Sequence, residues 1–149
     1  TGTEQDTQKA IQIFKKHFYT LAPHEVAFPR GVSDITKWKN PNTIYAKGCP
    51  IHVRGSLLYN NLLKENHLEK KYNIIKDGEK IKFLYLNPKN PMKENVISFL
   101  DFLPKDIGLH KYVDYDKQFD KAFLAVVRPV LEAIGWHEEE TVTLEDFFG

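Results

Sequence analysis

The sequence has a single cysteine, Cys49, so no disulfide can form within the chain. It also lacks a His-Glu-x-x-His pair, a glycine-rich loop before Lys-Ser or Lys-Thr, and a Gly-x-Ser-x-Gly elbow. No apolar run approaches the roughly 18 residues of a transmembrane helix, and no basic-then-apolar segment opens the sequence. These absences argue against a self-contained enzyme. They predict a cytoplasmic protein with no membrane partner.

Charge is distributed unevenly, although the formal net charge of the 149 residues is only +1. Residues 137–149 contain five acidic side chains and no lysine or arginine. Between Lys37 and Lys93 there are twelve basic and four acidic side chains. A basic middle is typical of proteins that bind a polyanion, but a solvated lysine surface gives the same count. We expect one domain over residues 1–136 and an acidic flexible tail over 137–149.

Hydrophobic periodicity predicts an α+β fold, in which amphipathic helices pack with a small antiparallel sheet over about residues 73–100. The predicted helices cover about residues 8–20, 50–64 and 116–134. In the first helix the spacing places Lys15 and Lys16 outward. Within the sheet region, Asp77-Gly78 predicts a hairpin turn between Ile74-Ile75 and a strand over residues 81–85.

The stretch over residues 47–60 combines a basic loop with the start of the second helix. Pro50 can open a helix because its missing N–H has no intrahelical partner there. Ile51, Leu58 and Leu62 are expected on one side of the helix, with Arg54 beside them. Lys47, a free helix N-terminus and an arginine one turn in would suit a phosphate. The alternative is an ordinary amphipathic helix with solvated charges.

Three segments point further when they are taken in order. Residues 47–55 read Lys-Gly-Cys-Pro-Ile-His-Val-Arg-Gly, and residues 77–85 read Asp-Gly-Glu-Lys-Ile-Lys-Phe-Leu-Tyr. The third segment has Tyr-Val-Asp-Tyr at 112–115 and Val-Arg-Pro-Val-Leu at 127–131. Together they resemble the thumb region of family B replicative DNA polymerases, and most of all the tailed-bacteriophage (myovirus) branch. The likeness covers nearly all of residues 20–149.

The resemblance implies a thumb-like domain that holds primer–template duplex behind the active site without reading its sequence. Lys47 matches the family's loop lysine near the duplex, and Lys121 matches a lysine on the long helix that faces the DNA backbone. Arg54, Lys80 and Lys82 lie in the matched segments or motifs and are assigned to DNA by their charge. For the lysines, the alternative is a solvated side chain.

The end of the chain, residues 142–149, resembles the C-terminal clamp-binding motif of phage replicases. By that resemblance Leu144, Phe147 and Phe148 would insert into a pocket on a sliding clamp. The alternative is that these three side chains fold back on the core of this domain. Gly149 is a departure, since some relatives end on the final phenylalanine.

The Asp-Thr-Asp-Ser motif, whose carboxylates hold two metal ions in the family B palm, is missing from this sequence. The resemblance therefore implies part of a DNA-directed DNA polymerase, a nucleotidyltransferase, that is inactive alone and has no catalytic residue or metal ligand. Magnesium is expected only in the missing palm. The implied partners are duplex DNA, a sliding clamp, and the palm, fingers and exonuclease. An excised fragment and a separately encoded subunit both stay open.

Two other functions compete with this interpretation. The first is a protein-interaction adaptor whose basic middle is only solvated and whose tail binds partners. The second is a small metal-dependent nuclease, because Glu69-Lys70-Lys71 has the acid-x-lysine spacing of some nucleases. Upstream coding sequence for a palm domain would separate both from the polymerase interpretation.

Overall fold

The computed structural model describes residues 2–133, with side chains over residues 5–125 and at Pro129 and Ala133. Helices and one small antiparallel sheet make up this range, which confirms the α+β fold class. The predicted clamp-binding residues Leu144, Phe147 and Phe148 lie outside the described residues. In the part of the chain that is described, no helix combines the length and apolar character needed to cross a membrane.

The chain divides into two compact units, Ala22–Asp114 and the pair of segments Thr1–Leu21 and Tyr115–Gly149. The first unit, called the central unit here, holds the sheet and two of the α-helices. Its main elements in chain order are α2 (Pro23–Val26), β1 (Phe28–Gly31), a 3-10 helix (Ile35–Trp38), α3 (Ile51–Glu65), β2 (Lys80–Tyr85) and β3 (Val96–Phe99). Two further 3-10 turns, Lys105–Ile107 and His110–Tyr112, close it.

The sheet has the order β1-β2-β3, and both pairs are antiparallel. The prediction of a hairpin beginning at Ile74-Ile75 is wrong, because that segment is not a strand and β2 pairs with β1 instead. The Asn60 side chain bonds both backbone groups of Ile75, so a neighbouring strand cannot use them. The turn at Asp77-Gly78 does form, and the Gly78 N–H donates to the Val32 carbonyl at 2.9 Å.

Helix α3 agrees with the predicted helix, but Pro50 is its N-cap in an extended conformation rather than its first helical residue. The three apolar residues expected on one side of α3 do not form its buried face. Ile51, Leu58 and Leu62 are only half-buried. The buried residues of α3 are Val53, Gly55, Ser56, Leu57, Tyr59, Asn60 and Leu63. The small residues on this face let α3 lie close to β3. A prediction that assigns only apolar residues to the core cannot identify a buried face that contains glycine, serine and asparagine.

The other unit contains α1 (Gly2–Phe18) and α4 (Tyr115–Ala133) among its described residues. The Phe18 and Phe119 rings meet edge to face with centroids 5.3 Å apart, and Phe119 is fully buried. The Tyr115 hydroxyl donates to the Leu21 carbonyl at 2.7 Å. The expectation that Lys15 points outward is wrong: its ammonium lies 5.8 Å from the Phe119 ring centroid, and its side chain is 24% exposed.

Candidate nucleic-acid interface

The residues from Arg30 to Arg54 form a basic stretch of the central unit. They contain five basic side chains and one acidic side chain, Asp34. The stretch runs from the end of β1 through the 3-10 helix and a loop into the first turn of α3. Its exposed basic residues are Arg30, Lys37, Lys39 and Lys47. We call this surface the basic end of α3.

Backbone geometry and one tryptophan bring these lysines to the same end of the helix. Gly48 has a left-handed φ of +102°, which a glycine adopts without strain. A Cβ at Gly48 would lie 3.9 Å from the Trp38 ring. The Lys37 ammonium lies 4.9 Å from the centroid of that ring. Lys37 contacts the Trp38 ring, and Lys47 is the sequence neighbour of Gly48, so both lysines lie next to this contact in the segment that leads into α3.

Arg54 is only half-buried, but its guanidinium already has partners within the protein. Nη2 donates to Asn95 Oδ1 at 2.6 Å, and Cζ lies 5.9 Å from the centroid of the Tyr45 ring. The Arg54 Nε is buried and has no hydrogen-bond partner. The predicted phosphate contact at this residue thus competes with contacts to the loop and to the residue before β3.

Tyr45 also contacts the residue before Asn95, because its hydroxyl donates to the Glu94 carboxylate. That hydrogen bond, then burial, raises the pKa of the Tyr45 phenol, while the nearby Arg54 charge acts in the opposite direction. Tyr45 therefore stays neutral at physiological pH. One arginine, one carboxylate, one amide and one phenol meet beside the loop that carries Lys47.

His52 ties the first turn of α3 to the end of β1. Its Nε2 lies 3.0 Å from the Gly31 carbonyl oxygen, and this oxygen can only accept, so the ring donates from Nε2. Burial lowers the pKa of His52, and the charge of Arg30 acts in the same direction, while the bond to Gly31 opposes both. The ring is therefore neutral at pH 7 and adds no charge to the basic end of α3.

Lys80 and Lys82 are on the other face of the sheet from α3. Gly55 of α3 lies so close to Ser98 that an added Cβ would sit 2.5 Å from its hydroxyl oxygen, so α3 covers the face that carries Ser98. Ser98 is paired with Phe83, and Lys82 is its neighbour along β2. Successive side chains of a strand alternate between faces, which separates Lys80 and Lys82 from Lys47 and Arg54.

Of the remaining assigned residues, Lys121 is exposed on α4 in the other unit.

The residues that sequence reasoning missed are Arg30, Lys37, Lys39 and the supporting pair Glu94 and Asn95. The Lys-Trp-Lys pattern at 37–39 was a usable signal, because an aromatic between lysines is typical of nucleic-acid surfaces. Nothing local marks Glu94 and Asn95, whose role depends on a contact across about forty positions of sequence.

A second surface feature of the central unit is a cleft of about 750 Å³ between α2 and the segments around residues 71–73 and 100–110. At its rim the Lys71 ammonium lies 2.9 Å from the Asp106 carboxylate, which also accepts from the Tyr72 hydroxyl. The hydrogen bond to Asp106 raises the pKa of Lys71. The lysine that prompted the nuclease alternative is thus paired. Among the described residues, no three His, Cys, Asp or Glu side chains cluster as metal ligands.

Comparison with known proteins relates the chain to a DNA polymerase. It is 30% identical over 105 residues to a DNA-directed DNA polymerase of Escherichia phage RB69. The alignment covers 67% of this chain but 11% of that polymerase, so the chain spans about a tenth of its relative's length. No protein-family model matches the chain. The similarity supports a polymerase-related region and agrees with the bacteriophage resemblance at that coarser level.

Proposed function

We propose that this chain is the thumb part of a family B replicative DNA polymerase and holds primer–template duplex at the basic end of α3. The observation that carries the proposal is that exposed Lys37, Lys39 and Lys47 stand in sequence beside Trp38 or Gly48, which meet in the segment that leads into α3. It stands in a chain that is similar to a phage DNA polymerase. The chain would contribute no bond-making chemistry of its own.

The chemistry of this surface fits a phosphate backbone. Lysine ammonium groups bind phosphates as point charges, and unpaired N–H groups at a helix N-terminus favour an anion. Such contacts give affinity and register without information about base sequence, which a replicative enzyme requires of its product grip. Lys80, Lys82 and Lys121 stay in the proposal as further phosphate contacts. Because Lys80 and Lys82 lie on the opposite sheet face, they would meet a different part of the duplex.

The direct test is a charge reversal at Lys47. Loss of one charge-assisted hydrogen bond is worth about 1.5 kcal/mol, so Lys47→Glu should weaken duplex binding by about tenfold, and equally for unrelated sequences. Fluorescence anisotropy with two duplexes of different sequence measures this. Lys105→Glu is the matched control, since Lys105 is also exposed in the central unit but outside the basic end of α3. Equal losses for both variants would contradict the proposed surface.

The tail supplies the second part of the proposal, a tether to a sliding clamp through Leu144, Phe147 and Phe148. Burying each phenylalanine would contribute roughly 1.5–3 kcal/mol before the cost of ordering the tail. Deleting residues 141–149 should abolish clamp binding in a pull-down and leave duplex affinity unchanged. If both activities fall together, the tail is part of the folded domain instead.

The remaining assignments follow from the polymerase proposal. Palm, fingers and exonuclease domains would be the partners that complete the enzyme, and magnesium would bind the carboxylates of the palm. The site of action would be the cytoplasm, or the host cytoplasm for a phage-encoded chain. The adaptor alternative predicts clamp or partner binding through the tail with no duplex binding at low salt, so the anisotropy measurement separates the two.

A further inference from the structure

We propose that Arg54 is a positioning residue that, with Tyr45, Glu94 and Asn95, fastens the Lys47 loop to the turn before β3. The proposal gives Arg54 a role different from the phosphate contact that its charge predicts. Its consequence for DNA binding rests on the proposed function, whereas the fastening itself concerns the free protein.

The first support is that the Arg54 guanidinium already has two partners within the protein. It donates to Asn95 from Nη2 and lies over the Tyr45 ring, while its buried Nε is out of reach of an external phosphate. An exposed phosphate would have to compete with a 2.6 Å hydrogen bond for the same group. A planar guanidinium suits this double role, because its fork can bond an amide while its face lies on an aromatic ring.

The second support is the order of the turn that supplies the other half of the fastening. Asn90 is 1% exposed, and its Nδ2 donates to the carbonyls of Asn87 and Glu94 at 2.7 and 2.6 Å. Its Oδ1 accepts from the Met92 N–H at 3.0 Å. This one amide therefore fixes the backbone next to Glu94 and Asn95. The backbone that carries the partners of Tyr45 and Arg54 is thus held by contacts that do not involve the loop.

The third support is the exposure of the loop, which leaves few side-chain contacts to order it. Ile44 is buried, but Tyr45, Ala46, Lys47 and Gly48 are all exposed. Fixing the backbone of each such residue costs roughly 1–2 kcal/mol of conformational entropy. The hydrogen bond from the Tyr45 hydroxyl and the contact between its ring and Arg54 anchor the loop two residues from Lys47. A loop ordered in advance loses less entropy when Lys47 meets a phosphate, and so binds it more tightly.

Charge gives the fourth support. The Glu94 carboxylate accepts from the Tyr45 hydroxyl, and the Arg54 guanidinium lies 5.9 Å from the centroid of the same ring, so opposite charges flank one side chain. The positive charge of Arg54 is therefore offset locally by a carboxylate, so the cluster adds little net attraction for a polyanion. Lys47, two residues along the loop from Tyr45, is exposed, and no carboxylate of the described residues forms an ion pair with it. In this proposal Lys47 attracts the phosphate, and Arg54 holds the loop that carries Lys47 in position.

A double-mutant cycle in the full 149-residue chain tests the consequence for DNA. Asn95→Ala and Tyr45→Phe change no charge, yet each should lower duplex affinity by about threefold to tenfold through Lys47. In a Lys47→Gln background both should have no further effect. Full additivity in that background would overturn the proposal. Asn61→Ala, at an exposed asparagine of α3, is the matched control and should leave affinity unchanged.

Substitution of Arg54 itself distinguishes positioning from phosphate contact. Lys keeps the charge but has no planar fork, so Arg54→Lys should lose as much duplex affinity as Arg54→Gln. A direct phosphate contact predicts that Arg54→Lys stays near wild type. It also predicts that Arg54→Gln lowers the salt dependence further when Lys47 is already absent. Either of these two results would overturn the positioning role.

Hydrogen exchange in the free protein tests the fastening without DNA. Asn95→Ala and Tyr45→Phe should raise amide exchange over residues 43–49 by about tenfold and leave the β2 amides unchanged. Unchanged exchange over 43–49 in both variants would overturn the proposal. If the wild-type chain binds no duplex, the proposed function fails, and the exchange measurement still decides whether these residues fasten the loop.

Discussion

Replacing Asn60 with leucine is expected to lower the free energy of unfolding by about 3 kcal/mol. The Asn60 Nδ2 donates to the Ile75 carbonyl at 2.9 Å, and its Oδ1 accepts from the Ile75 N–H at 2.7 Å. Ile75 is 2% exposed, so water cannot replace either bond in the folded protein. Each buried backbone group left without a partner costs about 1–3 kcal/mol.

Urea denaturation of wild type, Asn60→Leu and Asn61→Leu measures this effect. Asn61 is the next residue of the same helix and is exposed, so its replacement should change stability by less than about 0.5 kcal/mol. Equal stability of the two variants would contradict the account, because it would mean that Asn60 does not hold the segment before the Asp77-Gly78 turn.

Gly55→Ala is expected to destabilise the protein by about 1–3 kcal/mol, although alanine is the better helix former. The added Cβ would lie 2.5 Å from Ser98 Oγ, 2.9 Å from the Ser98 backbone nitrogen and 3.2 Å from the Ile97 carbonyl carbon. A hydroxyl can rotate away, but strand backbone cannot without moving β3. The gain in helix propensity is about 0.8–1.0 kcal/mol, so the steric term decides the sign.

Thermal unfolding of Gly55→Ala, with Gly31→Ala as the control, checks this prediction. A Cβ at Gly31 would have no heavy atom within 4 Å, so that variant should unfold near the wild-type temperature. Adding Ser98→Ala to Gly55→Ala should recover only part of the loss, because the backbone nitrogen stays in place. A higher unfolding temperature for Gly55→Ala alone would show that α3 and β3 are not packed this closely.

Several elements of the fold can be predicted from the sequence because the patterns that indicate them are local. Alternation over residues 81–85 predicts β2, helical spacing predicts α3 and α4, and Asp77-Gly78 predicts the turn. The pairing of β2 with β1 cannot be predicted from the sequence. β1 is a four-residue segment, Phe28–Gly31, that contains a proline, and its partner lies about fifty residues away. Such pairing is decided by tertiary contacts that leave no local pattern.

The candidate site divides in the same way. Lys47 is predictable because a basic loop before a helix N-terminus is a local pattern. Arg54 is equally visible as a charge, but its commitment to Asn95 and Tyr45 depends on a turn forty residues away. The alternation along β2 predicts that Lys80 and Lys82 share a face of the sheet, but it does not predict that α3 covers the other face. Charge counts alone do not assign side chains to surfaces.

The most direct test of the central claim is the salt dependence of duplex affinity for the full chain. With about four or five phosphates contacted, the slope of log affinity against log salt should be near −4. Affinities for duplexes of unrelated sequence should agree at every salt concentration, because phosphate contacts carry no sequence information. Anisotropy titrations between about 50 and 200 mM salt measure both quantities. A salt-independent affinity, or no binding at the lowest salt, would contradict the proposal that this chain grips duplex DNA.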